Sequence, residues 1–67
     1  MSNATRNTEF KVVNGTPDGD PVEQFHIYQK IDGQWKFIDY HLTQSGAHAL
    51  ALEHSLCYRD STIYWQV

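Results

Sequence analysis

Asp32-Gly33 is the feature that most narrows what this chain can become. The dipeptide sits inside FHIYQKIDGQWKFIDYH, Phe25 to His41, between two runs of alternating aromatic and β-branched residues. A two-residue hairpin loop of type I′ needs a left-handed backbone at both central positions, and Asp-Gly supplies it at little cost. With these two residues as the loop, pairing runs outward from Ile31 opposite Gln34. Lys30 then faces Trp35, Gln29 faces Lys36, Tyr28 faces Phe37, Ile27 faces Ile38, His26 faces Asp39 and Phe25 faces Tyr40.

Side chains on a strand alternate between the two sides of its sheet. A first face therefore carries Phe25, Ile27, Ile38 and Tyr40, with Gln29, Lys36, Ile31 and Gln34 towards the turn. A second face carries Tyr28, Phe37, Trp35 and Lys30, with His26 and Asp39 at the open end. The first face reads as core. The second mixes rings with charge, which suits a wet or partner-covered surface. There Lys30 is placed for a cation–π contact with Trp35, worth about 0.5–1 kcal/mol if exposed. His26 and Asp39 are placed for a cross-strand pair. A lone hairpin is marginal in water, so another element has to cover at least one face.

Met1 to Thr8 is polar and reads as a disordered arm. Glu9 to Asn14 reads as a short strand, with Phe10 and Val12 on one side and Lys11 and Val13 on the other. Asn14 to Pro21 holds two prolines and two glycines and makes a secure loop. It is too long for a tight hairpin, so the first strand either pairs with the hairpin or lies across its edge. Beyond the hairpin, Thr43 is the expected N-cap, with Ser45 as the alternative. A helix follows from about Gln44 to Cys57, where alanine and leucine are frequent. It has two apolar stripes: Ala47, Leu50, Ala51, Cys57 and Tyr58 on one side, and Ala49, Leu52 and Leu56 on the other. Ser61 to Val67 alternates again and reads as the last strand. Ile63, Trp65 and Val67 belong beneath the helix and Tyr64 on the second face. The expectation is one small α+β domain over residues 9–67, in the order β-β-β-α-β. Its antiparallel β-sheet has three to four strands, with one α-helix packed on one face.

At 67 residues, folding buries only about 60% of the unfolded surface. Domains of this size often gain stability from a metal, disulfides or self-association. Cys57 is the sole cysteine, so no internal disulfide exists. With no apolar leader and no apolar run of membrane length, this points to a reducing, cytoplasmic setting. His54 and Cys57 stand three apart on the helix, a spacing that suits two zinc ligands. A structural site needs four ligands, and His48 is off their face while His26 and His41 are on strands. The favoured reading buries Cys57 as a small apolar residue and leaves His54 at the edge of the core. The same two residues lack the oxyanion hole and pocket that nucleophilic catalysis requires. Asp18, Asp20 and Glu23 make the long loop acidic, without the ligand spacing of an EF-hand. The expectation is no metal, no cofactor and no enzymatic activity.

The sharpest functional feature is the second face. Tyr28, Trp35, Phe37 and Tyr64 form a patch flanked by Lys30, with Lys11 or Lys36 beside it. Left open, such a group exceeds the apolar patch of an ordinary monomer. The leading reading is a protein partner or a second copy of the chain, because aromatic anchors ringed by polar groups make interface centres. The second helix stripe, Ala49, Leu52 and Leu56, is buried within the chain on the bland account and a secondary interface on this reading. Single-stranded nucleic acid stacking on sheet aromatics is the alternative. The net charge of −3 and five basic residues argue against a polyanion. An acidic accessory inhibitor of a nucleic-acid-processing enzyme, acting through Asp18, Asp20, Glu23 and Asp39, is a weaker alternative. A bland account also competes, in which the first strand, the loop or the arm folds over the patch.

Overall fold

The computed structural model describes residues 7–67. The elements are β1 (Asn7–Asn14), β2 (Phe25–Ile31), β3 (Gln34–His41), α1 (Gln44–Ser55) and β4 (Asp60–Trp65). They form a four-stranded sheet in the order β3-β2-β1-β4, with α1 packed against all four strands. This is the expected small α+β domain. The sheet is mostly antiparallel. Its one parallel pairing joins β1 to β4, because α1 returns the chain across the sheet and β4 enters in the direction of β1. β1 therefore lies inside the sheet rather than across its edge. It begins at Asn7, so Asn7 and Thr8 belong to a strand, and residues 1–6 of the expected arm lie outside the described residues.

Asp32 and Gly33 have φ of 52° and 79°, the left-handed pair that a type I′ turn requires. The register follows the expected one from Ile31–Gln34 to Tyr28–Phe37. It then shifts, so that Ile27 pairs with Asp39, His26 with Tyr40 and Phe25 with His41. Ile38 is the extra residue of a β-bulge, which turns every later side chain of β3 over. Two expectations are corrected by it. Tyr40 leaves the first face for the second, and Asp39 moves to the helix side. The expected His26–Asp39 pair does not form: Asp39 accepts instead from His54 Nε2 on α1, at 3.2 Å.

The core lies between α1 and the two inner strands. Phe10, Val12 and Ile27 are fully buried, with Phe25, Ala47 and Ala51 around them. Alanine at two successive turns lets the helix backbone approach the sheet, so large strand residues fill the gap. Ile38, Leu50, Tyr58, Ile63 and Val67 close the margin of this cluster. Gln29, the one buried polar side chain among the described residues, donates to Thr8 Oγ1 at 3.0 Å. Burial without such a partner would cost about 1–3 kcal/mol.

Thr43 is the N-cap, its Oγ1 accepting from the Gly46 amide at 3.0 Å. The helix ends at Ser55, two residues sooner than expected, so Cys57 leaves the inner stripe and is exposed rather than buried. Ala49, Leu52 and Leu56 face solvent. Among the described residues, no helix is long and apolar enough to cross a membrane.

Candidate functional site

Strand alternation sends Glu9, Lys11 and Val13 of β1 to the side of the sheet opposite α1. They meet His26, Tyr28 and Lys30 of β2, Trp35, Phe37 and Tyr40 of β3, and Tyr64 of β4. No described element crosses this face. The structure therefore brings all five expected residues, Tyr28, Lys30, Trp35, Phe37 and Tyr64, to one surface. Lys36 turns to the other side, since it pairs directly with Gln29.

The rings are arranged edge to face in a strip across the sheet. Tyr28 and Phe37 have centroids 5.9 Å apart, and Trp35 reaches Tyr64 at 6.3 Å. His26 sits edge-on to Phe37 at 5.1 Å and to Tyr40 at 6.4 Å. Edge-to-face pairs are worth about 0.5–1.5 kcal/mol beyond their burial, so the strip is ordered before anything binds it. Phe37 and Tyr40 remain 53% and 51% exposed. Trp35 and Tyr28 are half-buried by their neighbours.

Lys11 organises the centre of the strip. Its Nζ lies 4.7 Å from the Trp35 centroid and 5.3 Å from that of Tyr28, while Lys30 Nζ lies 5.7 Å from Trp35. Lys11 is thus the main cation on the face, a rank the hairpin pairing could not show because β1 lies outside the hairpin. At the β4 end, the Tyr64 hydroxyl donates to Glu9 Oε1 at 2.8 Å. That hydrogen bond, and the Glu9 charge, push the phenol up from its ordinary value of 10.0.

His26 belongs to the strip for a reason visible in its surroundings. Its Nε2 donates to Gln24 Oε1 at 3.2 Å. Its ring covers Gly15, where a β-carbon would collide with the imidazole. Gly15 also donates to the Gln24 carbonyl at 2.9 Å, and Gln24 donates to Thr16 Oγ1 at 2.9 Å. These bonds close the long acidic loop as an extension of the β1–β2 pair, beside the strip and not over it. Asp20 is spent within this loop, accepting from the Val22 amide at 2.9 Å.

Tyr40 is the member that sequence reasoning put on the wrong face, while His26 was expected on this face as a partner of Asp39 and not among the binding residues. Tyr40 required the bulge to be foreseen. A second feature also went unread: on the helix side, His48 packs at a tilt against Trp65, centroids 4.4 Å apart, and donates to the Val67 carbonyl at 2.7 Å. No group of three or more histidine, cysteine, aspartate or glutamate side chains that could hold a metal ion occurs among the described residues. Compared with protein-family models, with curated proteins and with solved structures, the chain matches none.

Proposed function

We propose that this chain is a non-catalytic protein-interaction module, working in a reducing, cytoplasmic setting, that docks a protein partner on the aromatic face of its sheet. One observation carries the reading: an ordered strip of rings threaded by Lys11 is left open to solvent in a domain too small to spare apolar area. Half-exposed aromatics that are already positioned bind at low entropic cost, as interface anchors do. Lys11 and Lys30 sit among them, so a partner with carboxylates around an apolar centre is the best complement. The lone cysteine supports the reducing setting.

The test is capture of partners by the intact chain and by a Trp35→Ser, Phe37→Ser double variant, with near-ultraviolet circular dichroism recorded on both. The expected result is a protein held by the parent and lost by the variant, with the variant still folded. Collapse of the variant would make the rings structural and end the proposal. So would quenching of Trp35 fluorescence by single-stranded oligonucleotides at low salt, which would assign the strip to base stacking instead.

A further inference from the structure

The two edges of this sheet differ. The β3 edge is interrupted by the Ile38 bulge and carries Lys36 and Asp39, features that discourage pairing with another strand. The β4 edge has no proline, lysine or bulge: Asp60–Trp65 reads DSTIYW, with its single charge at the first position. The Gln66 amide donates to the Val12 carbonyl at 3.0 Å, which sets the phase of the parallel ladder. Thr62 and Tyr64 turn their backbone groups towards β1. Ser61, Ile63 and Trp65 turn theirs outward, where no described strand meets them.

We infer that β4 pairs antiparallel with β4 of a second copy, about a two-fold axis through Ile63. The outward phase selects this register. Ile63 would exchange both backbone bonds with Ile63 of the other copy, and Ser61 with Trp65, so every outward donor and acceptor of the three residues is satisfied. The side chains agree. Ile63 already packs against the core on its inner side, and its remaining surface meets its own equivalent. Trp65, braced by His48 and 46% exposed, lies over Ser61 of the other copy. Asp60 is the only charge in β4. The register puts it and its equivalent at opposite ends of the seam, about 20 Å apart at strand rise and beyond the screening length at physiological salt. Tyr64 lies beside the seam, so the two aromatic strips become one platform on an eight-stranded sheet. The pairing does not depend on what that platform binds.

Sedimentation equilibrium and amide hydrogen exchange on the full chain test this together, over dilution from about 1 mM to 10 μM, the range where weak self-association is set by mass action. The expected result is a mass rising from one copy to two as concentration increases across this range. In step with it, exchange at Ile63 and Trp65 should slow by about tenfold or more while Thr62 and Tyr64 stay protected throughout. Ser61→Pro, which removes an outward donor and no bond to β1, should remain a folded single copy at every concentration. A single-copy mass throughout would overturn the inference. So would Ile63 protection independent of concentration, which would mean the edge is covered within the chain. Doubling that survives Ser61→Pro but is lost in Phe37→Ser would also overturn it, since the copies would then meet through the rings. Should Ser61→Pro unfold, the exchange pattern of the parent chain decides alone.

Discussion

The two faces of this sheet carry similar apolar content and meet opposite fates. Beneath α1, Phe10, Val12 and Ile27 are fully buried. On the other side, Phe37, Tyr40 and Tyr64 stay about half exposed. Hydrophobicity alone does not separate the two sets, because the open face has the larger rings. What separates them is the distribution of polar atoms and the shape of the available cover. The helix offers Ala47 and Ala51, a smooth surface that aliphatic side chains and phenylalanine can fill. The open face carries Lys11, Lys30, Glu9 and three phenol groups, each of which would need a partner if the helix sealed it. Cover therefore goes to the face that asks for few hydrogen bonds, where buried Gln29 is satisfied by Thr8.

Truncations on the two faces should differ most, and they test the comparison directly. Phe10→Ala removes a fully buried ring and should cost about 3–5 kcal/mol. That equals the whole stability of many domains this small, so the variant should be largely unfolded at 25 °C by circular dichroism. Phe37→Ala, on the open face, should change stability by only about 1 kcal/mol. Equal losses in urea titrations would mean both faces are core, and the distinction would fail.

The bulge offers a second way to break the contrast. Deleting Ile38 removes the extra position, so Asp39 stays opposite Ile27 beneath α1 and Tyr40 stays opposite His26 on the aromatic side. With the packing of Ile38 also lost, about 2 kcal/mol of destabilisation is expected. Nuclear Overhauser contacts between Tyr40 and His26 should persist, with none from Tyr40 to α1. A variant in which Tyr40 moves beneath α1 would show that the bulge, and not the register, positions the ring.

The same bulge marks the limit of what could be read from the residues. Near the turn, Asp32 and Gly33 enforce a backbone geometry that few other residues accept, so pairing as far as Tyr28–Phe37 was legible. So were the helix cap at Thr43 and the place of Tyr64, because capping chemistry and strand period are local. Ile38 is an ordinary strand residue, and nothing in its identity announces an extra position. The cost of the bulge is met by contacts from another element: Ile38 still reaches the core, and Asp39 meets His54. Such contacts are visible only once the helix is docked. The parallel entry of β4 was hidden for the same reason, since chain direction after a helix is set by packing. The aromatic face was legible as a group, but Lys11 at its centre was not ranked, because β1 had no assigned neighbour.

The smallest effect concerns the charge that the bulge moved to the helix side. His54 Nε2 donates to Asp39, and the Tyr40 amide donates to Asp39 Oδ1 at 2.8 Å. These bonds, that of His54 first, hold the carboxyl below its ordinary value of 3.8. A folded-state value below the unfolded one means the unfolded chain takes up its proton first as pH falls. The stabilisation is therefore complete above the unfolded value near pH 4 and disappears as pH drops through the lower folded value. Both side chains are more than a third exposed, so screening limits the pair to at most about 1 kcal/mol. Melting temperatures followed from pH 6 to pH 2 should fall more steeply for the parent chain than for Asp39→Asn. The two curves should converge at the acid end, where the parent's carboxyl is neutral as well. Parallel curves across that range would show that Asp39 does no more than fill space beside His54. The helix-side face would then be held without help from charge, which would sharpen its difference from the charged, open side.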